Sequence, residues 1–261
     1  MPANKRMAKW AAISCTHAPF ENKRAIDKLI GKLEDSRGLT DFIHLGDLFE
    51  SSAGSVHPDE HQHTLADEYE AGAAILEKIR KALPRACRLH WMLGNHDDNL
   101  QIPDSRRTDW RTRSLIHWDN SEWGKVFRRW KQHPYVKPSV HSQGGCLQLG
   151  QVIFVHGWDA GQNSDELEAF QMSYACGGHA HRLVCRGHTH RPRDVSQCRR
   201  TAKVLTPYYY ANAGTMGPLQ PQYMQRKDVS QWSPAIIWGE CKVNTPSRFS
   251  SAEWTAEVET L

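Results

Sequence analysis

Apolar positions in this chain come in short runs that alternate with stretches of helical periodicity. Ala8 to Ser14, with Trp10, Ala11, Ala12 and Ile13, reads as a first strand. From Asn22 to Glu34 the residues Ala25, Ile26, Leu29, Ile30 and Leu33 fall at helical spacing, and Gly38 offers a stop. Phe42 to Leu45 predicts a second strand. After a polar loop, Ser51 to Pro58, a long helical pattern runs from about Asp59 to Leu83. Leu65, Tyr69, Ala73, Leu76 and Ile79 share one face, and Pro84 ends it. Arg88 to Leu93 predicts a third strand. Strand, helix, strand, helix, strand in succession predicts a layered α/β fold with parallel pairing in its first half.

Residues 98 to 138 break the rhythm. Arg106, Arg107, Arg111, Arg113, Lys125, Arg128, Arg129, Lys131 and Lys137 interleave there with Trp110, Trp118, Trp123 and Trp130. The stretch predicts one or two short helices inserted as a cap or flap within a single domain spanning residues 1–261. Its stripes read first as packing, with Trp faces inward and cations solvated. The functional alternative is a basic, aromatic surface for a phosphate-containing polymer. Beyond it, Cys146–Leu149 and Val152–Val155 flank Gly150-Gln151 in a hairpin pattern. Ser164 to Cys176 predicts a helix with Ser164 as N-cap and Leu167 and Phe170 inward. Short strands follow at Leu183–Cys185, 203–205, 208–211, 235–238 and 240–243, and the polar tail from Asn244 reads as peripheral.

Composition narrows the class. A chain of 261 residues can bury a full core without staples. Mean hydropathy of −0.65 and the lack of a long apolar run argue against a membrane helix. Seven cysteines without paired spacing, and no apolar signal segment, predict a reducing, cytoplasmic setting. Net charge +4 is compatible with a phosphate-bearing substrate. The unusual count is 15 histidines, the commonest metal-ligating side chain.

Position singles some of them out. Five loops follow apolar runs and carry ligand-type residues: Cys15-x-His17, Gly46-Asp47, Gly94-Asn95-His96-Asp97, His156-Gly157 and Gly187-His188-Thr189-His190. The mixture of imidazole, carboxylate, amide oxygen and thiol suits Mn, Fe, Zn or Ni rather than Ca. If these segments are extended, residues i and i+2 point the same way, so each His/His or Cys/His pair can face one centre. Gly178-His179-Ala180-His181 imitates the last block, but it follows a helix end rather than a strand. His44 reads as packed or turned to the opposite face. His57, His61 and His63 read as solvent-facing, and His117, His133 and His141 fall outside any block.

In this order the blocks resemble the calcineurin-like metallophosphoesterase superfamily, whose pattern is Asp-x-His, Gly-Asp, Gly-Asn-His-Asp/Glu, His and Gly-His-x-His. Four of the five blocks match over roughly residues 8 to 215, and Ala211-Asn212-Ala213-Gly214-Thr215 is similar to the strand end that closes the family core. The resemblance implies a two-sheet sandwich flanked by helices and a dinuclear metal site, filled by two divalent transition metals. It implies that Asp47 bridges the metals, that His17 and His190 hold the first with residue 15 beside them, and that Asn95, His156 and His188 hold the second. His96 would protonate the leaving oxygen or contact the phosphate, with Asp97 accepting its second ring proton. The reaction implied is phosphoester hydrolysis by a metal-bridging hydroxide.

Cys15 departs from the pattern, which has Asp there; RNA lariat debranching enzymes are similar in carrying Cys. Cys15 is a thiolate ligand, or it leaves the first site weak so that one metal dominates, or it is an inert thiol in a degraded enzyme. The basic, Trp-containing insert favours a nucleotide or nucleic-acid phosphodiester as substrate. The alternatives are a phosphomonoesterase or protein phosphatase, and a non-catalytic metal- or nucleic-acid-binding module that kept the fold.

Overall fold

The structure, a computed structural model, describes residues 6–51, 63–101, 117–136, 145–177, 181–198, 207–221, 229–243 and 251–261, and only the backbone of Leu100 and Gln101. His57, His61, Trp110, the four arginines 106–113, Lys137, His141, His179 and the strand expected at 203–205 lie outside the described residues, as do residues 244–250 of the tail.

Two sheets carry the fold. In the first, β1 (Arg6–Ile13), β2 (Asp41–His44), β3 (Arg88–Met92) and β4 (Lys131–His133) are parallel, with Ala11 beside Phe42 and Phe42 beside Leu89. On the other side of β1, β10 (Ala235–Val243) pairs antiparallel, and β11 (Trp254–Thr260) pairs antiparallel with β10. The second sheet has the order β5 (Leu147–Leu149), β6 (Val152–Phe154), β7 (Arg182–Arg186), β9 (Tyr208–Asn212), β8 (Arg193–Gln197). Its three middle strands are parallel and its edge strands antiparallel.

Strand alternation sorts the side chains into layers. From β1, Ala8, Trp10 and Ala12 meet Val152, Phe154 and Leu183 of the second sheet, while Ala11 and Ile13 face the helices. The chain forms α1 (Lys23–Asp35), α2 (Leu65–Ala82) and, directly after β3, the short α3 (Asn95–Gln101). The single turn α4 (Gly124–Phe127) joins α1 and α2 over the outer face of the first sheet. Asn22 caps α1 by accepting from the Ala25 N–H, and Thr64 and Asp67 form a capping box on α2. On the outer face of the second sheet, Ile153 and Val184 pack against Ala169 and Met172 of α5 (Ser164–Ala175). The two sheets thus lie face to face with helices outside, as the resemblance implies.

The sheet–sheet contact has a testable weak point. Gly239 lies opposite Trp10 in the β1–β10 register, and a Cβ there would run into the Trp10 indole and approach the Thr255 carbonyl oxygen to 2.6 Å. Gly239→Val is expected to lower unfolding free energy in urea by about 1–3 kcal/mol, the usual cost of overpacking. Gly31→Ala in α1, with open space at its Cβ position, is expected to be neutral or slightly stabilising. Equal stability of Gly239→Val and wild type would contradict this packing.

Several expectations are corrected. In the described part of the 98–138 insert, Trp118, Phe127 and Trp130 are buried against Phe42, Phe49 and Trp91, and Lys131–His133 forms the edge strand β4 rather than a helix. The packing alternative holds for these residues. α5 turns its other face inward, burying Asp165, Glu168, Ala169 and Met172 and leaving Phe170 exposed; Asn163 is its N-cap. Two buried carboxylates face the Arg186 guanidinium, so an ionic contact rather than an apolar one sets the helix rotation. The tail is not peripheral, because Trp254, Ala256 and Val258 of β11 pack onto the inter-sheet core.

Candidate metal centre

Every expected ligand stands just past the carboxyl end of a parallel strand, where open α/β sheets place their ligands. Cys15 and His17 follow β1, and Asp47 follows β2. Asn95 and His96 open α3 just after β3. His156 follows β6, and His188 and His190 follow β7. The loops are not extended. Cys15, His17, Asp47, His188 and His190 have φ of 53°, 53°, 52°, 66° and 61°. Cys15 and His17 therefore reach one donor group, and His188 and His190 two different ones, through left-handed turns and not through strand alternation. Such backbone costs of order 1 kcal/mol per non-glycine residue and clusters at functional sites. Hydrogen bonds from the Cys15 and His17 N–H groups to the Gly46 and Asp47 carbonyls, at 2.9 and 3.0 Å, fix the first two loops together.

The donor atoms form two groups that share Asp47. One contains Cys15, His17, Asp47 and His190, the other Asp47, His156 and His188; within each, the donor atoms lie within 4.8 Å of one another. Asn95 Oδ1 lies 3.2 Å from His156 Nε2 and adds the amide oxygen to the second group. In the first, His17 Nε2 and His190 Nε2 are 3.1 Å apart, and His17 Nε2 is 3.9 Å from Asp47 Oδ2. In the second, His156 Nε2 is 3.1 Å from Asp47 Oδ2 and 3.2 Å from His188 Nδ1.

This arrangement fits divalent cations. His156 Nδ1 donates to the Leu45 carbonyl at 2.7 Å, which turns Nε2 toward Asp47, Asn95 and His188. Ring nitrogens, an amide oxygen and a carboxylate converging on one point form a donor set for a cation. The His190 ring is buried, and its Nδ1 finds no hydrogen-bond partner. Burial and the neighbouring His17 ring hold the His190 pKa well below its usual value, and burial with His156 lowers that of His188 to about 3. Both rings are thus neutral, the form that ligates metal. Asp47 is ionised despite burial, because His156, His96 and His17 pull its pKa well down. The Cys15 Sγ accepts from the His188 N–H at 3.3 Å and lies 2.9 Å from Ser14 Oγ. Burial and the Asp47 carboxylate push its pKa up, so the thiol needs a cation to become a thiolate.

Supporting groups hold these ligands, and Glu50 is the one that sequence reasoning missed. Its carboxylate accepts from His17 Nδ1 at 2.7 Å, which turns Nε2 toward the centre. Its backbone carbonyl accepts from His96 Nδ1 at 2.6 Å. The only signal was its place three residues after Asp47 in an otherwise apolar loop. Asp97 does not take the His96 ring proton as expected. Its oxygens accept from the Leu48, Phe49 and Gly94 N–H groups and from Trp91 Nε1, at 3.0–3.3 Å, so they are already engaged in bracing the Asp47 loop. Burial and Asp47 raise its pKa to about 6. Asp98 lies in the first turn of α3.

A wider layer fixes the loops. His44 accepts from the Gly46 N–H at Nδ1, so its Nε2–H donates to Thr16 Oγ1 at 2.6 Å and ties the first two loops together. Asn212 Nδ2 donates to the Gly187 carbonyl and Thr189 Oγ1, ordering the loop that carries His188 and His190. Buried Arg186 pairs with Asp165 and Glu168 at 3.2 and 3.3 Å, and Glu168 accepts from the Trp158 and Asp159 N–H groups just after His156. Glu50→Gln is expected to weaken metal binding about 10–100-fold, as loss of an outer carboxylate on a ligating histidine does. Metal titration of the apo-protein measures this; unchanged affinity would remove Glu50 from the ligand support.

The remaining histidines are elsewhere. His181 precedes β7, at the other end of that strand from His188, and its carbonyl accepts from Trp254 Nε1. His90 and His133 contact each other and, through His90, Asp41. His117 caps the turn at Trp118–Asn120, and the ring of His63 meets Phe20.

Residues 9–229 match the calcineurin-like phosphoesterase superfamily domain, and the chain belongs to that family. No curated protein sequence matches the chain. Similar solved structures include a 5'-nucleotidase precursor from Thermus thermophilus, at 12% identity and TM-score 0.42, and the NAD nucleotidase of Haemophilus influenzae, at 9% and 0.43. Both alignments cover 98% of this chain, which spans 55% and 50% of those two chains. Among the described residues, no helix is long and apolar enough to cross a membrane.

Proposed function

We propose that the chain is a phosphodiesterase acting on a nucleotide or nucleic-acid ester. The observation that carries the reading is Asp47 shared between two donor groups with His96 beside it. In this reading Cys15, His17, Asp47 and His190 hold one divalent metal, and Asp47, Asn95, His156 and His188 hold the other. Bound there, the metals supply Lewis acidity to the phosphoryl oxygens and acidify a water. His96, fixed through Nδ1 by the Glu50 carbonyl, presents Nε2 to protonate the leaving oxygen. Asp97 acts on positioning alone, through the Asp47 and Gly94 loops. One feature supports a nucleotide or nucleic-acid ester. Trp232 meets His190 edge-on at 4.2 Å and Tyr135 lies 5.9 Å from His156, aromatic surfaces on which a base can stack.

The test compares bis-p-nitrophenyl phosphate with p-nitrophenyl phosphate after loading with Mn, Fe, Zn or Ni. Higher kcat/KM for the diester is the expected result; preference for the monoester would reverse the reading. Cys15→Asp tests the thiolate. It is expected to move metal preference away from Zn and Fe toward Mn, because a hard oxygen replaces a soft sulfur. Unchanged metal content and preference would show that Cys15 does not ligate.

A further inference from the structure

At the opposite end of β3 from the metal centre lies a cleft of about 500 Å³. Arg80 and Arg85 line it from the end of α2 and the following turn, Arg88 from the start of β3, Arg128 and Arg129 from just after α4, and Lys131 from β4. Two carboxylates meet these six cations among the described residues. Asp41 takes the Arg88 guanidinium at 2.5–2.8 Å, and Glu77 lies 3.5 Å from Arg129. Arg80 donates to the Leu83, Pro84 and Cys87 carbonyls, and Arg128 to the Asp119 carbonyl. Carbonyl partners orient a guanidinium without cancelling its charge. Arg85 and Lys131 are exposed and have no ionic partner among the described residues.

A cleft with such an excess of one sign repels itself and attracts anions. Guanidiniums already held in place lose little freedom on gripping phosphate oxygens, and their planar forks match that geometry. A small ester in the metal centre is out of reach. Arg88 and Asn95 lie at opposite ends of β3 and its following turn, with six residues between them, on the order of 15–20 Å at the ~3.3 Å rise of a strand. A ligand that uses both places must be a polymer.

We propose that this cleft binds the phosphates of a single-stranded nucleic acid, as an exosite apart from the metal centre. Its use in capturing substrate rests on the diester reading; the binding itself does not. The test is fluorescence anisotropy of the full chain with a labelled thymidine oligonucleotide of about 20 nucleotides across a salt series. The variant combines Arg85→Ser, Arg129→Ser and Lys131→Ser, all exposed positions away from the core. Binding is expected to weaken at least about tenfold, and the log–log salt slope to fall by about 2, near ~0.7 per lost phosphate contact. Turnover of bis-p-nitrophenyl phosphate is expected to stay at the wild-type rate. Equal binding and slope in variant and wild type would overturn the proposal. So would displacement of the strand by tripolyphosphate at equal phosphate concentration, which would mark a site for small polyphosphates. An oligonucleotide held through these residues but never cleaved leaves the exosite standing and rejects the diester reading. Cleavage with unaltered binding by the variant does the reverse.

Discussion

Asp47→Asn is expected to empty both metal positions at once and to lower kcat/KM by roughly 10³-fold or more. The side chain is the same size, so the loop survives: the His96 N–H that donates to Asp47 Oδ1 at 3.0 Å can still donate to an amide oxygen. What is lost is the charge facing His156 Nε2 at 3.1 Å and His17 Nε2 at 3.9 Å. Asp47 is the one carboxylate in either donor group, and the other donors are imidazoles, an amide and a thiol that gives up its proton on binding a cation. Without it each position has only weakly competing ligands. Metal polarisation of a phosphoryl oxygen contributes several kcal/mol, and each ~1.4 kcal/mol is tenfold in rate. Metal analysis after desalting is expected to find well under one ion per chain, with a melting temperature close to that of apo wild type. A variant that keeps two ions and near-normal turnover would contradict the shared-ligand geometry.

His96→Ala is expected to separate chemistry from metal binding. His96 belongs to neither of the two groups that share Asp47, although its ring also lies within 4.8 Å of the His17 and Glu50 donor atoms; it is held by the Glu50 carbonyl and meets His17 edge-on at 4.8 Å. Its truncation should leave metal content unchanged while kcat falls by about 10²–10⁴-fold, the usual worth of a positioned proton donor. The loss should be largest for esters with a poor leaving group, which need the proton, and smaller for p-nitrophenyl esters. A rise in KM alone, with kcat intact, would assign His96 to phosphate contact instead. Loss of metal together with activity would make it a structural support of His17.

The site was largely legible because its chemistry is local in sequence. Each ligand sits immediately after an apolar run, and the glycines beside Asp47, Asn95, His156 and His188 mark the tight passages. Gly94 shows why: a Cβ there would collide with the Asp47 carboxylate. What stayed hidden depends on partners far along the chain. Glu50 looks like any polar loop residue until the fold brings His17 to it. Asp97 adjoins His96 in sequence, yet the helical turn of α3 sends its carboxylate to four other donors. β4, Lys131-Gln132-His133, has no apolar run; it becomes a strand because Trp118, Phe127 and Trp130 anchor it beside β3. α5 was given the wrong face because the inward side carries Asp165 and Glu168, whose partner Arg186 lies on another element. β11 alternates Trp254, Ala256 and Val258 with Thr255, Glu257 and Glu259, a strand pattern that its polar half disguises as a tail.

The central claim is two metal positions joined by Asp47, and anomalous diffraction from a crystal soaked in Mn²⁺ tests it most directly. Two peaks are predicted about 3.5–4 Å apart on either side of the Asp47 carboxylate. One should lie within bonding reach of Cys15, His17 and His190, and the other of Asn95, His156 and His188. A single peak on one side of Asp47, or peaks that leave its carboxylate uncoordinated, would contradict the account.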